Sequence, residues 1–187
     1  MSATPIYVLF ERLANLLRAE ERQLGADNDL QPVHLYSLYY LSRCNRFSDN
    51  PAALTEYLGM TKGTVSQSLQ LLVTKGLISK QGDKEDRRLV HLCLTDKGKK
   101  LVKKLLPPPI FGSALEKLQK KEAELIEQAF NTLLRAIQTR SGSLSFGECK
   151  TCEHCLPQGK NYLCGLTQEE LKPSETLMIC REHHRTD

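Results

Sequence analysis

Long apolar runs are missing from this sequence. Although 40% of its 187 residues are hydrophobic, no stretch approaches the roughly 20 apolar residues that cross a bilayer. The first residues, Met1–Pro5, also lack the basic flank and the apolar segment of a secretory signal. We therefore predict a cytoplasmic protein without a membrane span. In that reducing compartment the seven cysteines are better explained as metal ligands or redox thiols than as disulfides.

Signs of catalysis are also scarce. The sequence has no glycine-rich nucleotide-binding loop and no convincing set of nucleophile, base and orienting group, so we predict that the protein is not an enzyme. The net charge of +4 is uneven: residues 1–140 hold 21 Lys and Arg against 15 Asp and Glu, and residues 141–187 hold 5 against 7. The modest basic excess of the first part suits a phosphate-bearing partner.

Residues 51–98 predict a short helix, a tight turn, a second helix, and two strands joined by a charged hairpin. The first helix, over 53–58, ends at Gly59, as a positive φ at a helix C-terminus would require. Thr61 can then cap the second helix, which ends at Gly76. The apolar side of the second helix follows helical spacing and consists of Val65, Leu69, Leu72 and Val73.

The other side of this second helix is small and polar, with a single positive charge. Such side chains can contact base edges in the major groove of DNA, and they are Lys62, Thr64, Ser66, Gln67, Ser68 and Gln70. The hairpin that follows, residues 81–88, carries Lys84, Arg87 and Arg88. A basic hairpin beside a helix-turn-helix is a wing, which can reach the minor groove or the phosphates.

Four elements resemble, in order and spacing, the winged-helix transcription factors of the MarR family. They are Thr61–Ser66, Lys75–Ile78, Asp86–Arg88 and Leu94–Gly98. The resemblance covers about residues 5–140 and implies a mainly α fold: a winged helix-turn-helix with a small antiparallel β wing and a helical dimerisation region. It also implies an obligate homodimer on a pseudo-palindromic operator, in which Asp86 and Arg88 brace the wing while Lys84 and Arg87 point at DNA. A winged helix used only for protein contacts is the alternative.

Amphipathic helices are predicted on both sides of this motif. They cover residues 5–24, 31–46, 95–106, 114–118 and 120–140. Pro107–Pro109 remove three backbone donors and break the helix that the family usually continues here. The apolar stripes of 5–24 and 120–140 need a partner, for which the resemblance implies a second copy of the chain; an intrachain core is the alternative. Tyr36, Tyr39 and Tyr40 could line a pocket for a small-molecule effector, although core positions explain them better.

The composition changes after the linker Ser141–Ser143. We therefore divide the chain into residues 1–140, a MarR-like DNA-binding and dimerisation domain, and residues 141–187, a cysteine-rich tail to which the resemblance does not extend. The tail holds five cysteines: Cys149, Cys152, Cys155, Cys164 and Cys180. It has few large apolar residues, and about 40 residues rarely hold a fold on so small a core. Because metal binding supplies folding energy in small modules, we predict a metal site in the tail.

The spacing of these cysteines leaves the metal open. Zinc favours one Cys-x2-Cys pair with two remote ligands, which selects Cys149, Cys152, Cys164 and Cys180 and leaves Cys155 as an alternate ligand. A [4Fe–4S] cluster favours three close cysteines and one remote, which selects Cys149, Cys152 and Cys155 with Cys164 or Cys180. Free redox thiols are a third interpretation. His183 and His184 could replace a zinc ligand, although adjacent histidines are more often surface residues.

Together these patterns favour a sequence-specific DNA-binding transcriptional regulator, more often a repressor than an activator, whose tail is a structural clip or a sensor. One alternative is a redox-active iron–sulfur or thiol protein that uses the winged helix as a scaffold. Another is an adaptor whose cysteine module binds a second protein.

Overall fold

A computed structural model describes residues 4–83, 86 and 88–185 of the chain. These residues form seven α-helices: α1 (Thr4–Ala26), α2 (Pro32–Arg43), α3 (Pro51–Leu58), α4 (Lys62–Thr74), α5 (Asp96–Leu105), α6 (Pro109–Leu115) and α7 (Lys120–Ser141). An antiparallel pair, β1 (Ile78–Gly82) and β2 (Val90–Leu94), follows α4. A second antiparallel sheet consists of β3 (Cys155–Gln158), β4 (Asn161–Cys164) and β5 (Glu169–Leu171). The predicted mainly α fold with a small β wing is confirmed.

Capping side chains and a glycine fix the ends of the two helices of the helix-turn-helix. The Asn50 side chain accepts a hydrogen bond from the Ala53 amide at the start of α3, and Gly59 ends α3 with φ of 61°, a conformation that costs glycine little. The Thr61 hydroxyl then accepts a hydrogen bond of 3.2 Å from the Thr64 amide and caps α4. The predicted turn and cap therefore lie where the sequence placed them.

One apolar core holds α2 to α5 and the wing together. Its fully buried side chains come from four of these elements and include Leu35, Leu38, Leu54, Leu69, Leu72 and Leu92. Gly98 in α5 lets that helix approach the base of the wing, because a Cβ there would lie 2.1 Å from the Leu77 carbonyl oxygen. The helix-turn-helix and the wing consequently form one packed unit.

Two predicted helix boundaries are wrong. The helix predicted over 31–46 ends at Arg43, because Cys44 is extended and the Asn45 amide bonds to the Ile179 carbonyl of the tail. The helix predicted over 114–118 begins earlier, at Pro109, and ends at Leu115. Proline is tolerated in a first helical turn, where its missing donor has no intrahelical partner, so the proline run interrupts the helix without preventing a new one. No helix among the described residues is long and apolar enough to cross a bilayer.

The helices at the two ends of the domain carry uncovered apolar surface. Helix α7 has no buried residue along its 22 positions, and α1 buries only Gly25. Their exposed apolar side chains include Leu9, Phe10, Leu13, Leu16, Ile126, Phe130, Leu134 and Ile137. An intrachain core over the described residues does not cover these stripes.

The tail folds back onto the winged-helix unit. Its own buried apolar side chains are few and include Cys149, Leu171 and Cys180, whereas Phe146 and Ile179 pack against the main core. Ile179 also bridges to Cys44 as an isolated β pair. The tail therefore depends on the surface of α2 and the α2–α3 loop for part of its packing.

Candidate nucleic-acid interface and thiol cavity

Helix α4 exposes one face and buries the opposite one. Val65, Leu69 and Leu72 are buried against the core. The exposed positions include five of the predicted contact residues, Lys62, Thr64, Ser66, Gln67 and Gln70, which we call the recognition face. Within the described residues the side chains of Ser66, Gln67 and Gln70 make no hydrogen bond, so their donors and acceptors are open to an external partner.

Ser68 does not belong to the recognition face, contrary to the sequence prediction. It is 5% exposed, and its hydroxyl donates a hydrogen bond of 2.9 Å to the Thr64 carbonyl oxygen. A small polar side chain can be buried on the core side of a helix when the preceding turn accepts its proton. Helical spacing already places Ser68 on this side, because it lies three positions after Val65 and four before Leu72, so the sequence prediction was wrong at this residue.

The described part of the wing tip contains the predicted bracing pair. The Arg88 guanidinium donates two hydrogen bonds of 3.0 Å to the two carboxylate oxygens of Asp86, and this pairing lowers the pKa of Asp86. The Asp86 amide in turn donates to the Asp83 carboxylate at 2.7 Å. Lys84 and Arg87, the predicted DNA contacts of the wing, lie outside the described residues, so their role stays a prediction.

His91, which the sequence analysis did not single out, joins the wing to the α2–α3 loop. Its Nδ1 lies 2.6 Å from an Asp49 carboxylate oxygen and its Nε2 lies 3.1 Å from one of Asp83. Hydrogen bonding to these two carboxylates raises the pKa of His91. An alternating strand gives no hint of such a bridge, since Asp49 is 42 positions away.

The three tyrosines of α2 have separate environments. Tyr40 is 1% exposed and donates a hydrogen bond of 2.8 Å to the Ser48 carbonyl oxygen. Tyr36 donates to the Glu21 carboxylate, and Tyr39 is exposed. Tyr40 is thus a core residue, as the preferred interpretation held, and a small-molecule effector stays a prediction.

All five tail cysteines line one cavity, which we call the thiol cavity. Its walls also include Asn45, Phe47, His154, Leu166 and Leu171. Cys155 and Cys164 are paired positions on β3 and β4. Cys149 contacts the α2–α3 loop, because the side-chain amide nitrogen of Asn45 lies 3.4 Å from the Cys149 sulfur. All seven cysteines, each within the described residues, are free thiols.

The pKa values of two of the thiols are shifted in opposite directions. A hydrogen bond with Cys149 is the main cause that lowers the pKa of Cys180 to about 6, and Asn45 and Ser48 add to it. The same hydrogen bond and burial raise the pKa of Cys149. Burial also raises the pKa of Cys44 to about 12, which leaves that thiol protonated and inert. Within this pair, Cys180 is therefore the sulfur that favours the thiolate, the form that binds metals.

His183 is a buried structural residue, not a surface one. Its Nδ1 lies 2.6 Å from the Ser145 hydroxyl and its Nε2 lies 3.0 Å from the Thr151 hydroxyl. Gly147 provides the space, because a Cβ there would lie 2.6 Å from the His183 ring. With both ring nitrogens engaged, His183 is a poor substitute for a thiolate ligand.

The donor set suits a thiophilic metal, although its spacing is not that of a compact zinc site. Four thiolates around one zinc ion lie about 3.8 Å apart, because each Zn–S bond is about 2.3 Å long. Within the described residues, the one group of three or more possible ligand atoms that all lie within 4.8 Å of one another belongs to Glu153, His154 and His184 and includes no cysteine sulfur. The chemistry of the thiol cavity thus fits both predicted groups, while binding of zinc by Cys149, Cys152, Cys164 and Cys180 would require the sulfurs to move together.

The tail is joined to the helix-turn-helix by polar contacts as well as by packing. The Arg181 guanidinium pairs with the Glu56 carboxylate of α3 at 2.6 and 2.7 Å, and the Arg181 amide donates to the Ser48 hydroxyl at 2.8 Å. Arg46 forms ion pairs with Glu169 and Glu175 of the tail. The α2–α3 loop therefore contacts the tail on one side and, through Asp49, the wing on the other.

The helix-turn-helix, its exposed polar face and its β hairpin define a winged-helix protein. Residues 28–89 match the family model described as MarR family. This match confirms, over these residues, the MarR-family resemblance inferred from the sequence. No curated protein matches the chain in sequence.

Solved structures share this fold. S. aureus MepR in its DNA-binding conformation is 23% identical, with a TM-score of 0.62, and the match covers 71% of this chain and 98% of MepR. A MarR transcriptional regulator from Methanosarcina mazei Go1 is 24% identical, with a TM-score of 0.60 and coverage of 72% and 96%. Streptococcus pneumoniae FabT in complex with DNA is 23% identical, with a TM-score of 0.57 and coverage of 73% and 96%. These proteins are matched almost in full, whereas more than a quarter of this chain has no counterpart in them.

Proposed function

We propose that the protein is a sequence-specific DNA-binding transcriptional regulator that acts as a repressor. The observation that carries the proposal is the recognition face of α4, which holds exposed, unbonded amide and hydroxyl groups on a helix whose other side is fixed in the core. Amides can bond bidentately to adenine, and hydroxyls can bond to either kind of base edge. Two of the structural relatives are described as bound to DNA or in a DNA-binding conformation, which supports the proposal by similarity.

The working form in this proposal is a homodimer on a pseudo-palindromic operator. Most of the stability of a helix in a protein comes from packing of its apolar face, yet the 22-residue α7 has no buried residue. Helices α1 and α6 contribute further exposed apolar side chains such as Phe10 and Phe111. A second copy of the chain would cover these stripes. The two α4 helices would then enter successive major grooves about one helical turn apart.

Substitutions in α4 and one in the tail test the DNA-binding part. With an operator selected from random DNA by the full chain, we expect Gln67→Ala to cost about 1–3 kcal/mol at that site and to relax its sequence preference. Lys62→Ala should weaken all DNA similarly and reduce the salt slope by about one. Gln158→Ala, at an exposed position of β3, is the matched control and should change neither. Equal operator affinity of the Gln67 variant and the wild type would remove α4 from recognition.

The tail is proposed to hold a metal at the thiol cavity and to act as a structural clip or as a sensor. The candidates remain zinc on Cys149, Cys152, Cys164 and Cys180, with Cys155 as the alternate, and a [4Fe–4S] cluster. When bound, either group would cross-link segments that the tail's small core holds weakly. Because Asn45 contacts Cys149 and Arg181 contacts Glu56, a change at the cavity has a direct route to α3.

Metal content and absorbance after anaerobic purification distinguish these candidates. About one zinc per chain with no visible band would support a clip, and a broad visible band that bleaches in air would support a cluster and a sensor. The affinity of the protein for the operator is then measured before and after exposure of the protein to air. The alternative of a redox thiol protein is favoured by the five free thiols around one cavity, and it predicts reversible thiol oxidation without operator binding.

A further inference from the structure

We propose a second metal site on the tail, formed by Glu153, His154 and His184, which adjoins the thiol cavity at His154 but uses no cysteine sulfur as a ligand. One ligand atom of each residue lies within 4.8 Å of the ligand atoms of the other two. The site would take a borderline divalent ion such as Zn²⁺, Co²⁺ or Ni²⁺, because two imidazoles and a carboxylate match these ions, whereas thiolates select softer metals and clusters.

Backbone contacts hold the two contributing segments together before any ion arrives. The Glu153 amide donates a hydrogen bond of 2.8 Å to the His184 carbonyl oxygen, and Cys152 pairs with Arg185 as an antiparallel bridge. The His184 amide lies 3.4 Å from the Cys152 sulfur. Ligation would therefore not have to pay the entropic cost of bringing the two segments together, because residues 152–154 and 184–185 are already adjacent.

The side chains are also oriented for ligation. The Nδ1 atom of His184 lies 3.2 Å from the Glu182 carbonyl oxygen, which only accepts, so Nδ1 carries the proton and Nε2 keeps its lone pair for a metal. A histidine ligand commonly has its other nitrogen fixed by such a carbonyl. The His154 and His184 rings meet edge to face, with centroids 5.1 Å apart, and His154 Nε2 lies 3.5 Å from a Glu153 carboxylate oxygen.

Exposure makes this site exchangeable. Glu153 and His184 are exposed and His154 is half-buried, so water can fill the remaining coordination positions. Ligation ties the turn at 153–154 to the segment that carries Arg181, and Arg181 contacts Glu56 of α3. Occupancy of the site would therefore strengthen the attachment of the tail to the helix-turn-helix.

Titration of the full-length protein, as isolated, with Co²⁺ tests the site. We expect one Co²⁺ per chain beyond the metal already present, with weak visible bands and no sulfur-to-cobalt charge-transfer band. His154→Gln and His184→Gln should each weaken this binding by more than about tenfold. His91→Gln, which removes a histidine in the wing, is the control and should bind as the wild type does.

X-ray absorption of the Co²⁺-loaded wild type keeps the test independent of how the variants fold. A first shell of nitrogen and oxygen is expected. A sulfur-containing shell, the absence of an additional ion, or unchanged binding in both folded histidine variants would overturn the proposal. Neither result depends on whether the chain binds DNA.

Discussion

The winged-helix unit and the tail are stabilised in different ways. Sixteen buried apolar residues from α2, α3, α4, α5, the wing and the adjoining loops form the main core, whereas three form that of the tail, two of them cysteines. Burial of apolar surface is therefore the main source of stability in the first unit. The tail instead consists of a small sheet and five thiols around one cavity, and it packs against the α2–α3 loop. The difference teaches that the tail can change state while the unit that carries α4 keeps its fold.

The largest expected effect comes from the main core. Leu72→Ala removes a fully buried side chain and should lower the free energy of unfolding by about 2–5 kcal/mol. The backbone amides of α2 to α5 should also lose protection against hydrogen exchange. Urea unfolding followed by circular dichroism measures the change in unfolding free energy. Leu177→Ala, at a leucine that is 50% exposed, is the control and should change stability by less than about 0.5 kcal/mol.

A cavity in the tail should act more locally. Leu171→Ala removes the one fully buried aliphatic side chain of the described tail, so we expect amides of β3 to β5 to exchange faster while those of α4 stay protected. Hydrogen exchange by mass spectrometry measures both regions in one sample. Equal loss of protection in α4 would contradict the comparison and show that the two regions unfold together.

The ion pair between the two regions should contribute less. Arg181 and Glu56 are each about a third exposed or more, and solvent screening limits such pairs to about 0.2–1 kcal/mol. A double-mutant cycle with Arg181→Ala and Glu56→Ala measures the coupling. A coupling energy well above this range would mean that the contact is a main attachment of the tail.

The smallest expected effect depends on pH and lies at the wing. Because the folded protein raises the pKa of His91 above its ordinary 6.5, the stability that His91 contributes is fully present below that value and is lost as pH rises through the raised pKa. The difference in unfolding free energy between the wild type and His91→Gln should therefore shrink as pH rises from about 6.5 into the alkaline range. A difference that stays constant over this range would exclude a charged bridge to Asp49 and Asp83.

The helix-turn-helix could be predicted because its signals are local. Asn50, Gly59, Thr61 and Gly76 mark the helix ends within a few residues, and the spacing of Val65, Leu69 and Leu72 sets the buried face. Ser68 was misplaced because it was assigned by its polarity, although it shares the helical spacing of Val65 and Leu72; its hydrogen bond to the Thr64 carbonyl satisfies the hydroxyl there.

The attachment of the tail could not be predicted, because its contacts join residues far apart in sequence. Asn45 and Cys149 are 104 positions apart, and Glu56 and Arg181 are 125. The cysteine spacing identified the residues that line the thiol cavity but did not predict the three-stranded sheet that positions them. It also did not indicate the site at Glu153, His154 and His184, because only the fold brings residue 184 beside 153 and 154.

The aromatic cluster at the junction of the two regions gives the protein its own optical probe. The chain has no tryptophan and six tyrosines, and two of these, Tyr40 and Tyr57, stack with ring centroids 4.5 Å apart while Phe146 of the tail lies 5.3 Å from Tyr57. Displacement of Phe146 would increase the exposure of both phenol rings to water, Tyr57 being 40% exposed and Tyr40 1% exposed with Phe146 in place. The tyrosine fluorescence of the unlabelled protein should therefore report, in real time, whether the tail is packed against the winged-helix unit.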